Sequence, residues 1–371
     1  MSTIDPLFAD KLRKYGADDF NACFNCGNCT AVCQHTGKTA NFPRMMVRYG
    51  TLGLKDEILG SRELWLCYAC GDCTDTCPRQ ADPGHYMGAL RRYAIAHYEP
   101  TGITRLLFTS NPFAVVLTLV LASILGMFLF TLKPDHEVAR WLFAWMPFAV
   151  IHNIGMVIFG FTGFAAAVGI FNMIRHLSSQ TEKQTGKKNT VIRALTEVAT
   201  EVGTMKRYQA CDQEEDGFWS GKKSWQRPWF VHWSIMWGFL GLFLATVLDF
   251  LLKDPATTIW WPSRILGTIS GLLMLYGSSL AIWYRINKVT KMYSETRFSD
   301  WTFLLFLWIA GFTGFWLETA VAFSADLSLN HIIFVVHTIV SMELVLLFAF
   351  SKFAHAFYRP LALFYYYKNN G

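Results

Sequence analysis

The chain has 371 residues, 53% of them hydrophobic and only 16% charged, with a formal net charge of +6. It is too long for one small domain, and its apolar content is uneven: residues 1–110 are mixed, whereas long apolar runs alternate with short basic segments from Pro112 onward. The positive balance does not point to nucleic acid, because the basic residues gather beside the apolar runs. No Walker loop, dinucleotide fingerprint or nucleophile elbow occurs, so nucleotide or flavin chemistry is expected on other subunits.

The first predicted element is a pair of cysteine tetrads 44 residues apart. Cys23, Cys26, Cys29 and Cys33 form one, and Cys67, Cys70, Cys73 and Cys77 the other, each spaced C-x2-C-x2-C-x3-C. This is the ligand run of a bacterial two-cluster ferredoxin. Three closely spaced thiolates wrap one cubane, while the fourth cysteine leads away and ligates the other. The expected ligand sets are Cys23, Cys26, Cys29 and Cys77 for one 4Fe-4S cluster, and Cys67, Cys70, Cys73 and Cys33 for the second. Gly27 and Gly71 take equivalent places where the loop turns tightly around sulfide. Pro78 follows the last cysteine of the second tetrad, whereas Gln34 holds that place in the first. Structural zinc uses paired C-x2-C units without this extension. Disulfides are not expected among eight clustered cysteines with no apolar signal segment ahead of them.

Six apolar runs follow, near 112–132, 147–174, 229–252, 263–284, 302–323 and 331–357. Each is long enough to cross a hydrocarbon layer of about 30 Å as a helix. The segment before the first run holds 12 basic residues, the 175–228 loop 10, the 285–300 loop 4 and the C-terminal stretch from Lys352 onward 3. The three opposite loops hold only Lys133, Arg140, Lys253 and Arg264. Positive charge stays inside, which predicts an inner-membrane protein with both termini and the clusters cytoplasmic. Trp141, Trp145, Trp260 and Trp261 would mark the outer boundary. The second run carries Gly155, Gly160, Gly163 and Gly169, which ordinary helix packing explains. Residues 189–207 of the long loop are amphipathic and precede Glu214, Glu215 and Asp216, a segment suited to docking partners or lying on the membrane. Cys211 lies in this loop alone and reads as a free thiol, because eight cysteines already fill two clusters.

Histidine in hydrocarbon is costly unless ligated or paired. His337 and His355 are 18 residues apart. In one continuous helix that is five turns and about 27 Å, with both imidazoles on the same face. His232, near the cytoplasmic start of the third run, matches the depth of His355 and is expected to complete an inner haem b site. His152 is the expected outer partner of His337. His136 and His176 fall in loops and read as solvated. A quinone site is expected on the outer side near His337, where Asp249, Glu318, His331, Lys253 and Arg264 gather. Glu343 lies deep in the last run, and a carboxylate there should be protonated, paired or part of a proton path.

Taken together, the tetrads, six runs and histidines resemble the membrane subunits of the quinone-interacting oxidoreductase complexes of sulfate-reducing microbes. Residues 1–110 resemble the two-cluster iron–sulfur subunit of heterodisulfide reductase. Residues 112–357 resemble the cytochrome b subunit of that enzyme and the gamma subunit of nitrate reductase, although the position that would supply a further histidine ten residues after His232 is Leu242. The fold class expected is mainly α: a helical two-cluster 4Fe-4S ferredoxin-like domain over 1–110, then a six-transmembrane-helix cytochrome b bundle over 111–371. The resemblance implies that menaquinol passes electrons through haem b and the clusters to flavin and iron–sulfur subunits akin to the flavoprotein of heterodisulfide reductase, with adenylylsulfate reductase as the terminal partner. No adjacent cysteine pair is present, so disulfide reduction by this chain is not expected. The rival readings are an iron–sulfur membrane anchor without haem, and the same path run in reverse to reduce quinone. A transporter is disfavoured, because no inverted repeat or broken-helix pair is evident.

Overall fold

A computed structural model of the chain describes residues 4–36, 42–132, 146–181, 189–212, 218–252, 262–323 and 328–369. Lys133, His136, Arg140, Trp141, Trp145, Glu214, Glu215, Asp216, Lys253, Trp260 and Trp261, singled out above, lie outside these residues. The described residues are helical and contain no β-strand. The N-terminal part comprises α1 (Phe8–Lys14), α2 (Asn28–Val32), α3 (Arg44–Thr51), α4 (Lys55–Leu59), α5 (Asp72–Asp75), α6 (Pro83–Tyr98) and α7 (Ile103–Thr109). Its longest helix, α6, starts where a helix is easiest to start. Asp82 accepts from the His85 amide at 3.2 Å, and Pro83 occupies the first turn, where its missing N–H costs nothing.

Among the described residues, six later helices are long and apolar enough to cross a membrane. They are α8 (Asn111–Thr131), α9 (Phe148–Thr181), α12 (Pro228–Leu252), α13 (Pro262–Ile286), α15 (Phe298–Ala322) and α16 (Ser328–Leu346). Between α9 and α12 lie α10 (Val191–Thr204) and α11 (Lys206–Cys211), and α14 (Lys291–Ser294) precedes α15. The tightest apolar pairing is α12 on α13. A Cβ at Gly238 would stand 2.6 Å from the Met274 amide nitrogen, and one at Gly277 would stand 2.8 Å from the Val231 carbonyl. Backbones this close tolerate only hydrogen at those positions. In α9, by contrast, Gly155, Gly160 and Gly163 meet nothing within 4 Å, and only Gly169 is needed, where a Cβ would collide with the Tyr358 hydroxyl. Helix α9 also runs past the expected end of its apolar run, so His176 is not in a loop. It sits on the helix, with its ring 5.5 Å from His97 and 5.9 Å from Tyr98.

The last apolar run departs from the expected continuous helix over 331–357. Helix α16 ends at Leu346; 3-10 turns at Phe348–Phe350 and Lys352–Ala354 follow, and α17 (His355–Asn369) begins a new helix. Ser351 causes the restart: its backbone is extended, and its hydroxyl accepts from the Phe353 amide at 3.3 Å as a cap. His337 and His355 therefore sit on separate helices, and the five-turn, same-face relation does not hold.

One core joins the two parts. Phe8, Leu12, Trp65, Tyr86, Leu90 and Tyr98 of the N-terminal part pack in the same buried cluster as Met173 and Leu177 of α9 and Ala354, Tyr358 and Ala362 of the C-terminal segment. Asn172 donates to the Tyr98 carbonyl at 2.8 Å, and Arg62 to the Tyr365 carbonyl at 3.1 Å. Buried Arg92 donates to the Tyr15 carbonyl at 2.7 Å, and burial pulls its guanidinium down to about 10. Segment 189–212 is not a free docking arm. It lies along α17, with Asn189 donating to the Tyr367 carbonyl at 2.9 Å and the Arg207 guanidinium 4.8 Å from the Tyr366 ring centre.

Candidate functional site

Both cysteine loops adopt the same backbone. Asn25 and Ala69 are left-handed at φ 60° and 57°, and Gly27 and Gly71 at φ 89° and 110°. The turn aims an amide at the first thiol of each loop: Asn25 N–H donates to Cys23 Sγ at 3.4 Å and Ala69 N–H to Cys67 Sγ at 3.3 Å. Gly27 and Gly71 then start α2 and α5, which pack together and carry the fourth cysteine of each loop across. The Asn28 amide clips the crossing through the Thr76 carbonyl at 2.6 Å. Cys29 consequently faces Cys23, Cys26 and Cys77, while Cys33 and Cys73 face Cys67 and Cys70. Burial, followed by the neighbouring Cys67 and Cys70, pushes the Cys33 thiol up to about 11. Four sulfurs gathered this way repel one another as thiolates unless a cationic centre sits among them, and amide-to-sulfur hydrogen bonds are what such a centre uses. The thiol sets fit two 4Fe-4S clusters.

A second constellation adjoins the second thiol set. His232 on α12 and His355 at the start of α17 have ring centres 6.1 Å apart with 60° between planes. Two imidazoles bound end-on to one metal at about 2 Å per bond hold their ring centres roughly 6 Å apart, so this pair has the spacing of a bis-histidine site. Each Nδ1 is already engaged. His355 Nδ1 donates to the Lys352 carbonyl at 2.6 Å, and His232 Nδ1 stands 3.4 Å from Met205 Sδ, which leaves each Nε2 for a ligand. Between pair and thiols runs an aromatic stack. Tyr208 of α11 lies 6.2 Å from the His232 ring and stacks at 4.8 Å on Tyr68, the neighbour of Cys67. Arg359, one turn beyond His355, lies 3.5 Å over the Tyr68 ring and donates to the carbonyls of Leu66 and Cys67 at 3.2 and 3.3 Å.

The outer candidates are arranged differently. His337 turns toward α15, where its Nδ1 lies 2.9 Å from Thr313 Oγ1 and its ring rests near Gly314. Helix α9, which carries His152, packs on α16 through Val150, Ile151, Ile154 and Ile158. Glu318 accepts from the Thr268 hydroxyl, and Asp249 from the Ser263 hydroxyl. Arg264 stands at the start of α13 and His331 at the start of α16, while Lys253 is outside the described residues. Glu343 is 2% exposed, with a buried Oε1 that has no hydrogen-bond partner. An apolar recess lies at the end of the bundle nearer the cluster domain, lined by Leu107, Thr118, Ser299, Phe306, Leu347 and Phe353.

Several of these residues escape sequence reasoning. Cys211 is 5% exposed, and its sulfur lies 3.1 Å from His35 Nε2, beside the second thiol set. Tyr68 and Tyr208 carry no motif. Asp82, His85 and Glu295 also converge, but the Asp82 oxygens are taken by Thr74, the His85 amide and the His85 ring, which makes this group a clasp between the two parts.

This fold and these thiols define a two-cluster iron–sulfur domain joined to a bundle of six membrane-capable helices. Residues 19–81 match the family model of the 4Fe-4S dicluster domain. Over 63 residues the chain is 39% identical to the C-subunit of the H(2):CoB-CoM heterodisulfide,ferredoxin reductase of Methanothermobacter thermautotrophicus, covering 17% of this chain and 34% of that protein. The same protein of Methanothermobacter marburgensis matches equally. The iron-sulfur C-subunit of the CoB--CoM heterodisulfide reductase of Methanopyrus kandleri is 43% identical over 45 residues, 12% of this chain and 23% of that protein. The chain thus spans about a third or less of the length of these relatives. No solved structure matches the chain.

Proposed function

We propose that this chain is the electron-transfer membrane subunit of a quinone oxidoreductase complex, exchanging electrons between menaquinol in the membrane and cytoplasmic flavin and iron–sulfur subunits through haem b and two 4Fe-4S clusters. In this reading Cys23, Cys26, Cys29 and Cys77 hold one cluster, Cys67, Cys70, Cys73 and Cys33 the other, and His232 and His355 one haem b. Those groups supply one-electron carriers when bound. The chain's own part is to fix the carriers' distances, to exclude water from the thiols and to present the cluster domain to partners. The observation that carries the reading is the His232–His355 pair at 6.1 Å, one tyrosine stack away from the second thiol set. An anchor that only recruits partners has no use for such a pair. Respiration of sulfate, with adenylylsulfate reductase as terminal partner, is the setting the sequence resemblance supports, and the same path serves quinone reduction when potentials reverse.

The test is haem b per chain by pyridine haemochrome, beside total iron, on the purified protein. One haem that is lost in both His232→Ala and His355→Ala is the expected result. Two haems would add the His152–His337 site; none would leave the anchor reading. A second reading concerns the quinone site. The recess beside Leu347 and Phe353 is two residues from His355, and Glu343 is one turn from Leu347, which favours the cluster side over the outer side for the head group. Filling it with Leu347→Trp should raise the KM for a short-chain quinol several-fold, whereas Glu318→Gln should not.

A further inference from the structure

Cys211 is the ninth cysteine, and the eight-cysteine count leaves it without a task. Its position is nevertheless built with care. It ends α11, whose preceding turn is set by Met205 in the left-handed conformation at φ 53°. The next residue, Asp212, is clamped: its carbonyl accepts from Arg227, its carboxylate stands 3.8 Å from the same guanidinium, and that carboxylate also accepts from the Trp229 amide at 3.4 Å. The clamp carries Cys211 from the helical bundle onto the cluster domain, where its sulfur meets His35 Nε2 at 3.1 Å beside the thiols of Cys70, Cys33 and Cys67. His35 and Cys70 come from different cysteine loops, so Cys211 sits where the two loops meet, over the second thiol set. The same short helix carries Tyr208, which reaches His232.

We infer that Cys211 is a positioning residue for the second cluster: its S–H donates a hydrogen bond to the Cys70 sulfur, with His35 fixing the thiol's direction, and so raises that cluster's reduction potential relative to the first. The inference rests on the reading that the eight tetrad cysteines hold two clusters. The physical basis is charge. Reduction adds an electron to a cluster whose negative charge is spread over its sulfurs, and a donor on a ligand sulfur stabilises the reduced form more than the oxidised one. A hydrogen bond worth about 0.5–1.5 kcal/mol corresponds to a roughly two- to tenfold change in a reduction equilibrium. A general packing role predicts no such selectivity, because a filled gap between helices has no reason to favour one oxidation state of one cluster.

The experiment is a redox titration of the full-length protein followed by electron paramagnetic resonance, with Cys70→Ser identifying the second cluster's signal by its altered spectrum. Cys211→Ala should lower the second cluster's midpoint by up to about 59 mV, the tenfold equivalent for one electron, and leave the first unchanged. Cys211→Ser keeps a donor and should retain most of the wild-type midpoint, which guards against a misfolded alanine variant. Unchanged midpoints in Cys211→Ala, or equal shifts of both clusters, would overturn the inference. So would a Cys70→Ala protein with full iron and an intact second signal, since Cys211 would then be a ligand. A wild-type protein without cluster signals would instead remove the iron–sulfur reading itself.

Discussion

At the scale of single residues, Gly71 and the Asp82–His85 pair have consequences that can be measured. Gly71 sits at φ 110°, and a Cβ there would lie 2.9 Å from Met292 Cγ. Gly71→Ala should cost about 1–2 kcal/mol from backbone strain alone, and more if Met292 cannot move. Gly221, at φ 67° with open space around it, isolates the backbone strain, so Gly221→Ala should cost less in the same melting experiment. Loss of iron should accompany Gly71→Ala and not Gly221→Ala. At the start of α6, burial opposes the charged forms of both Asp82 and His85, but their pairing outweighs it, lowering the Asp82 carboxyl and raising the His85 imidazole. The lowered carboxyl contributes stability that is present above its unfolded value near 4 and lost as pH falls through its folded value. The raised imidazole contributes stability that is full below about 6.5 and lost as pH rises through its folded value. The pair should therefore stabilise most between about pH 4 and 6.5. Asp82→Asn should flatten the fall in melting temperature from pH 6 to pH 8 and cost about 1–2 kcal/mol at pH 6.

The segment from α10 to α11 matters as an element. It is an amphipathic helix and one short turn, yet it touches the second thiol set, the imidazole pair and the C-terminal helix. Its anchor is Glu201, 3% exposed, which accepts from the Tyr68 hydroxyl at 2.5 Å and from the Arg207 amide at 3.3 Å. Removing that acceptor leaves a buried hydroxyl and a buried amide short of partners, at about 1–3 kcal/mol. Glu201→Ala should speed proteolysis within 189–212 while the six apolar helices stay protected; equal rates in variant and parent would deny the anchoring role. The broken last span is a second finding about an element. Hydropathy alone extends it to residue 357, but the capped 3-10 turns end the membrane-capable helix at Leu346 and let His355 face His232 from a new helix.

For the whole molecule, one shared core makes the cluster domain and the bundle a single folded body, with Tyr358 packed between Trp65 and Tyr98 at 5.5 and 5.2 Å. Six crossings would return the C-terminus to the side of the N-terminus. The basic bias predicts that side to be the cytoplasm. A fluorescent protein fused after Gly371 should fluoresce, and alkaline phosphatase fused there should stay inactive; the opposite pattern would place the clusters outside and end the docking scheme.

Features that depend on local chemistry are legible from the amino-acid order. Cysteine spacing dictates the loop around a cluster because the ligands lie within a few residues of one another, and six apolar runs follow from the cost of burying polar groups in hydrocarbon. The candidate site was legible to that extent: the tetrads, and the pairing of His232 with His355, whose rings lie 6.1 Å apart. Periodicity failed where the helix itself was interrupted, since 3.6 residues per turn relates His337 to His355 only along an unbroken hydrogen-bond ladder. Which groups meet across distance is a matter of three-dimensional packing. Cys211 reaches Cys70 and His35, and Tyr208 links Tyr68 to His232, because a strap far along the chain folds back over the cluster domain. Such contacts arise from the packing of a common core, and residue spacing within any one segment carries no record of them.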